Sequence, residues 1–183
     1  MKQFIREIVS VIIGILVALF INNWNEDRKD KEYLDQIFSS IDKELEESLT
    51  DIERVIPKQL ESADSLQAYL NTEELSIYDI IIKADGVHAP SIKTNAWNAI
   101  ANSKIELIAY EKLSALADIE ERKENLKWRL EKQMDFMFKN MEETDRGKKE
   151  MLMMTIRDMV GAEKELQAEI EALLNNEPAS RNE

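Results

Sequence analysis

The chain is poor in the residues that build reactive sites. It has no cysteine, one histidine, three prolines and four glycines among 183 residues. The absence of cysteine is compatible with either side of a membrane and leaves the compartment open. A single histidine cannot supply the two Glu-x-x-His motifs of a di-iron bundle. Nucleophile-elbow, phosphate-loop and zinc patterns are also missing, so we expect no enzyme activity, cofactor or metal.

The charge is acidic and unevenly distributed. The net charge is −13, yet residues 1–32 hold five basic and five acidic side chains. Residues 33–183 therefore carry the whole excess, which repels phosphate backbones and disfavours nucleic-acid binding. Such a surface favours solubility and suits cationic partners. The scarcity of Gly and Pro beside abundant Glu, Lys, Leu and Ala indicates helices.

One long apolar run stands out, at Ile8–Ile21, with a single serine in it. With its flanks, Phe4–Trp24 forms about 31 Å of helix, which matches the thickness of a bilayer core. Arg6 can extend toward lipid headgroups, and Asn23 and Trp24 suit the membrane interface. A signal peptide and a buried soluble helix are the alternatives. The run is followed by no small-residue cleavage site, so we favour an uncleaved anchor contacting membrane lipid.

The orientation of this anchor depends on its flanking basic residues. Lys2 and Arg6 precede the run, whereas Arg28, Lys29 and Lys31 follow it. A short basic head before an apolar run usually stays in the cytoplasm. We therefore expect a single-pass protein with its larger part outside, which is the periplasm of a Gram-negative cell.

Small and polar residues recur every four positions in the anchor. Ser10, Gly14, Ala18 and Asn22 share one helix face, and small residues at this spacing allow two helices to approach closely. We expect a homo-oligomer that forms through this face. The alternative is that short apolar segments contain Gly and Ala by chance.

The rest of the chain predicts an all-α fold, namely an antiparallel bundle of long helices. We assign residues 1–24 to the transmembrane anchor, 25–174 to an acidic helical bundle and 175–183 to a flexible tail. Apolar steps of three and four residues from Leu34 to Leu70 continue past Pro57. They predict either one kinked helix or two coaxial helices, which the anchor helix can join directly.

Shorter patterns predict the remaining helices. Ser76 and Asp79 form a capping-box pattern that favours a helix over Ile77–Ala84, although the β-branched residues there also permit a strand. Thr94 can begin a helix that buries Trp97. A long helix is expected from about Tyr110 to Glu142, and after a break at Thr144–Gly147 a last helix is expected to run to about Leu174. Trp128 is expected in the core.

Two motifs resemble a known group of proteins. The strings Ile12-Ile13-Gly14-Ile15-Leu16 and Asn22-Asn23-Trp24-Asn25-Glu26 are similar to an uncharacterised family of Gram-negative single-pass membrane proteins. Thr94-Asn95-Ala96-Trp97 is similar to a second segment of that family, although the glycine that usually follows is absent here. The resemblance implies an inner-membrane location and this architecture, and it implies no activity.

Methionine, histidine and acidic residues offer weaker signals. Seven of the eight methionines lie between Met134 and Met159. Core packing is the favoured interpretation, and an apolar groove for a partner is the alternative. We interpret His88 as a surface or linker residue, and the acidic runs at Glu44–Glu47 and Glu120–Glu121 as solvated faces. The candidate groove residues are Met134, Met137, Met141, Met154 and Met159.

The sequence as a whole predicts a membrane-anchored interaction or scaffold module that self-associates and has room for a protein partner. One alternative is a ligand-sensing bundle outside the cytoplasm. Another is a small channel formed by several anchors, with Asn22 and Asn23 at its mouth.

Overall fold

The computed structural model describes residues 2–175, without the side chains of residues 2–8 and 10. Over this range the chain forms five α-helices, one 3₁₀ helix and no strand, which confirms the all-α class. Asn175 ends the last helix, and the remainder of the predicted tail lies outside the described residues. The elements are α1 Lys2–Ala68, α2 Ile77–Lys83, α3 Asn95–Ala101, a 3₁₀ turn Ile105–Leu107, α4 Tyr110–Asn140 and α5 Arg146–Asn175.

Helix α1 is continuous through Pro57, so the alternative of two coaxial helices is wrong. The chain nevertheless divides into two compact units between Ser40 and Ile41. The predicted domain boundary after Trp24 stays a prediction. Across the described residues, no helix combines the length and the apolar character needed to cross a membrane.

The second unit is built around α5. Gln59 of α1 contacts Glu163, and Tyr69, directly after α1, contacts Lys149, so this part of α1 runs antiparallel to α5. Arg122 of α4 pairs with Glu165, and Arg129, further along α4, pairs with Asp158, which comes earlier in α5. Helix α4 therefore also runs antiparallel to α5. The predicted antiparallel packing therefore holds for both neighbours of α5. Helices α1 and α4 run parallel, because the segment containing α2 and α3 returns the chain to the start of the bundle.

The buried face of α4 differs from the predicted one. Trp128 is 57% exposed, so its assignment to the core was wrong. Leu126 is buried, and a step of two residues turns a helix by about 200°, which places Trp128 on the opposite side. Gln133 lies seven residues beyond Leu126 and is buried on the same face. The buried α4 residues are Leu116, Ile119, Leu126 and Gln133.

Helix α2 closes one end of the bundle. Ser76 and Asp79 form the reciprocal capping box, which confirms the helix and excludes the strand. The backbone N–H groups of Ile77 and Tyr78 donate to the carbonyls of Glu143 and Met141, in the turn between α4 and α5. The apolar side of α2 packs on α1 and α5. The buried cluster there is Ala63, Leu66, Ile77, Ile80, Ile81, Leu152, Met153 and Ile156.

A buried lysine lies at the same end. Lys149 is fully buried, and its Nζ donates to the carbonyls of Tyr69 (3.3 Å) and Thr72 (2.7 Å). These carbonyls lie just beyond the carboxyl end of α1, the negative end of the helix dipole, where a cation is favourable. Lys149 therefore stabilises the end of α1 from α5.

Candidate functional site

An irregular segment, residues 88–94, lies along α1 and is called the strap below. Ser48 Oγ accepts a hydrogen bond from the Lys93 backbone N–H (2.9 Å). Asp51 Oδ2 accepts one from the Ser91 N–H (2.7 Å). Gln59 Nε2 donates to the His88 carbonyl (3.0 Å). These α1 positions recur at helical spacing on one face, so a polar stripe of α1 satisfies the backbone of the strap.

Acidic residues of α1 extend this polar stripe, and their contacts differ from the solvated face expected for Glu44–Glu47. Glu44 Oε2 accepts from the Ala96 N–H (3.0 Å) at the start of α3, and Glu47 Oε2 pairs with Lys93 Nζ (2.5 Å). The run Glu44–Glu47 is therefore only partly a solvated face. The Ser91 N–H holds the pKa of Asp51 below its usual value, and the hydrogen bond from Lys93 does the same for Glu47. The strap is thus fixed by ionised carboxylates.

The strap, α4 and α5 enclose a pocket of about 190 Å³, which we call the Glu163 pocket. Its walls are mainly apolar, and Glu163 is its acidic member. Lys123 and Lys127 contribute from α4. The apolar lining residues are Ala89, Pro90, Ile92, Leu126, Leu130 and Met159.

Glu163 is fully buried and only half satisfied. Its Oε1 accepts a hydrogen bond from Gln59 Nε2 (2.8 Å), whereas its Oε2 has no hydrogen-bond partner within the described residues. Burial raises the pKa of Glu163 to about 7, although the Gln59 hydrogen bond opposes the shift. Glu163 can therefore gain or lose a proton near neutral pH.

Among the described residues, the neighbouring lysines pair with other acids and form no ion pair with Glu163. Lys123 Nζ donates to Thr94 Oγ1 (2.7 Å) and Glu120 Oε1 (3.1 Å), and Lys127 lies 3.8 Å from Glu124. Burial would raise the pKa of Glu120, but hydrogen bonds from Thr94 and Lys123 outweigh it and leave the pKa lowered. Glu120 is thus a paired carboxylate and not simply part of a solvated face.

The other candidate sites among the described residues have weaker support. A larger groove of about 370 Å³ lies between the start of α4 and the end of α5, but Glu169, one of its acidic residues, already pairs with Arg122. Across the described residues, no group of three or more histidine, aspartate or glutamate side chains is placed to hold a metal ion. His88 lies in the strap, and its Nε2 is 3.7 Å from Asp85 Oδ2.

The residues predicted for the membrane helix lie on α1. Gly14, Ala18 and Asn22 are exposed, and Asn22 Nδ2 donates to Glu26 Oε1 (3.3 Å). Asn23 and Trp24 are exposed as well. The side chains of Ser10 and Arg6 lie outside the described part of the chain.

The five candidate methionines lie in different surroundings. Met159 is buried and lines the Glu163 pocket, whereas Met154 is 63% exposed. Met137 packs against the cluster formed by α1, α2 and α5. Met134 and Met141 are half-buried. Only Met159 therefore contributes to the candidate site.

Sequence reasoning missed Glu163, although a signal for it was present. The buried positions of α5 include Ile156, Met159, Leu166 and Ile170, and Glu163 falls between them at the same three- and four-residue steps. An acidic residue inside an apolar stripe is either buried or functional. That pattern would have identified it.

The described helices and the Glu163 pocket define an all-helical protein with a buried, incompletely paired acid. The chain belongs to a family of unknown function, DUF6090, whose sequence model matches residues 7–103. The match covers most of α1, the strap, α2 and α3, while the pocket walls from α4 and α5 lie beyond it. Neither the search of curated proteins nor that of solved structures found a match.

Stability should depend on pH through Glu163. The unfolded chain loses this proton near pH 4.5 and the folded chain near pH 7, so folding stability falls as pH rises between these values. The loss amounts to about 3 kcal/mol. We expect Glu163→Gln to remove this fall, so that its stability advantage over the wild type grows from pH 5 to pH 8.

Urea denaturation of the full-length chain in non-ionic detergent, followed by circular dichroism, measures this difference. Glu165→Gln is the matched control, because Glu165 is on the same helix with a side chain 69% exposed. Equal pH dependence in Glu163→Gln and the wild type would contradict the assignment.

Proposed function

We propose that the protein is a membrane-anchored helical interaction module that self-associates through the first part of α1. The observation that carries the proposal is the exposure of a continuous apolar run on this helix. The exposed large apolar side chains are Val9, Val11, Ile12, Ile13, Ile15, Leu16, Val17, Leu19, Phe20, Ile21 and Trp24.

The energetic cost of leaving this run in water is large. Full burial of a Val, Leu, Ile or Phe side chain stabilises a protein by about 1.5–3 kcal/mol. The run therefore forgoes on the order of 10 kcal/mol while it is exposed. Contiguous apolar surface of this size marks a site of contact with a membrane or another protein.

The distribution of the run favours lipid as its main cover. Ile12, Ile13 and Leu16 lie on different sides of the helix, since each residue turns it by about 100°. A partner helix covers one stripe, whereas lipid covers every side. The described residues alone hold no helix apolar enough to span a bilayer. The proposal uses the whole segment Phe4–Trp24, about 31 Å of helix.

Self-association is supported by open space at Gly14. Apart from the adjacent backbone of its own helix, a Cβ atom added there would meet no atom of the described residues within 4 Å. The close approach that Gly14 and Ala18 permit is thus available to a second copy of the helix. Asn22 follows on the same face and can add an interhelical hydrogen bond.

The location is part of the proposal. The basic residues around the run favour a cytoplasmic amino terminus, and the resemblance in the anchor favours the inner membrane of a Gram-negative bacterium. The bundle would then lie in the periplasm. A second candidate function, ligand sensing by the bundle, is favoured by the Glu163 pocket.

Anchoring can be tested by carbonate extraction of membranes that contain the full-length chain. We expect the wild type to stay in the pellet. Ile13→Asp with Leu16→Asp should release the chain, because each aspartate at a helix centre costs about 2.5–3.5 kcal/mol in a membrane. Met151→Asp with Met154→Asp is the control, since both are exposed on α5. Wild-type protein in the supernatant would overturn the proposal.

Self-association can be tested with Gly14→Ile. Because the space beside the Gly14 Cα is open among the described residues, a change in oligomer size reports contact between copies. We expect the oligomer to dissociate in detergent, as measured by light scattering after size-exclusion chromatography. Ile12→Phe adds bulk on the opposite side and should leave the oligomer intact. An unchanged size in Gly14→Ile would contradict the predicted contact face.

A further inference from the structure

We propose that the Glu163 pocket binds a small primary amine with an apolar body, whose ammonium group contacts Oε2 of Glu163. This site goes beyond the proposed function and does not depend on the anchor, because every residue of the pocket belongs to the second unit.

The buried carboxylate sets the polar end of the ligand. Gln59 occupies Oε1 of Glu163, and Oε2 has no hydrogen-bond partner among the described residues. A buried acceptor left in this state carries its full desolvation cost. A cationic donor offsets that desolvation cost through two interactions, because it donates a hydrogen bond to the carboxylate and also carries the opposite charge. A neutral donor such as an alcohol supplies only the hydrogen bond.

Gln59 of α1 fixes the position of the Glu163 carboxylate. Gln59 Nε2 donates both to Glu163 Oε1 and to the His88 carbonyl (2.8 and 3.0 Å), so one amide links α1, α5 and the strap. Gln59 itself is only 5% exposed. The carboxylate is therefore held in place before a ligand arrives, which reduces the entropy lost on binding.

The walls set the size and the apolar body of the ligand. Ile92 of the strap, Leu126 and Leu130 of α4, and Met159 of α5 offer aliphatic and thioether surface. The volume of about 190 Å³ equals roughly six water molecules at ~30 Å³ each. A branched alkylamine of about this size fits, whereas a nucleotide or a peptide does not.

The charged groups around the pocket restrict the ligand further. Lys123 and Lys127 line it from α4, and Gln59 of α1, which is neutral, contacts Glu163. His88 and Asp85 contact each other (3.7 Å) and are not among the lining residues. Lys123 pairs with Glu120, and Lys127 pairs with Glu124. A second positive charge on the ligand would meet these lysines, so monoamines should bind better than diamines.

The test uses the full-length chain in non-ionic detergent, with 3-methylbutylamine as the probe and 3-methylbutan-1-ol as its neutral match. Methyl-labelled methionine provides the signal: Met159 lines the pocket, while Met151 and Met154 are exposed. We expect the amine to shift the Met159 resonance saturably at pH 8. The alcohol and 1,5-diaminopentane should each require about tenfold higher concentration or more.

Three variants test whether the binding is specific to the pocket. Glu163→Gln should weaken amine binding about tenfold or more and leave alcohol binding unchanged, whereas Glu165→Gln should alter neither. Leu130→Phe reduces the volume and should abolish both, with its folding checked by circular dichroism. Amine binding should also weaken from pH 8 to pH 6, as Glu163 takes up a proton. Absence of a saturable Met159 shift, equal affinity for amine and alcohol, or unchanged amine affinity in Glu163→Gln would overturn the proposal.

Discussion

Helix α1 carries apolar side chains in two patterns, and the removal of both from water is the constraint on which the structure depends. From Ile41 onward the apolar residues form a stripe that is buried within the second unit. Before Trp24 they surround the helix and stay exposed within the described chain. One helix therefore contains a stripe that the protein core buries and an exposed run for which we propose lipid as the cover. The proposed anchoring follows from the exposure of that run.

The same helix uses its polar side to shape the candidate site. Ser48, Asp51 and Gln59 hold the strap, which forms one wall of the Glu163 pocket. Because the strap has no regular secondary structure, its backbone depends on these partners for hydrogen bonds. Glu163 completes the pocket at a cost to stability that rises with pH. Retention of such a group is easier to explain by binding than by packing, since an apolar residue would stabilise the fold better.

The periodicity of the sequence was sufficient to predict the helices, because helix formation depends on local spacing and capping. Periodicity was insufficient to place Trp128. A large apolar residue is readily assigned to the core, and its exposure becomes clear only when the buried face of α4 is known. The contact partners of Lys149 and Glu163 could not be assigned from local sequence, because they lie about 80 and 104 residues away. The strap contacts were missed for the same reason.

The most direct test of the central claim uses the absence of cysteine. Single cysteines placed in turn at positions 9–24 of the full-length chain can each carry a nitroxide label after reconstitution into liposomes. Collision rates with oxygen and with a water-soluble nickel complex then report the surroundings of each position. The account predicts high oxygen and low nickel accessibility from Val11 to Ile21, with reduced oxygen access on the side of Gly14 and Ala18. High nickel accessibility throughout, or exclusion of both reagents at every position, would contradict it.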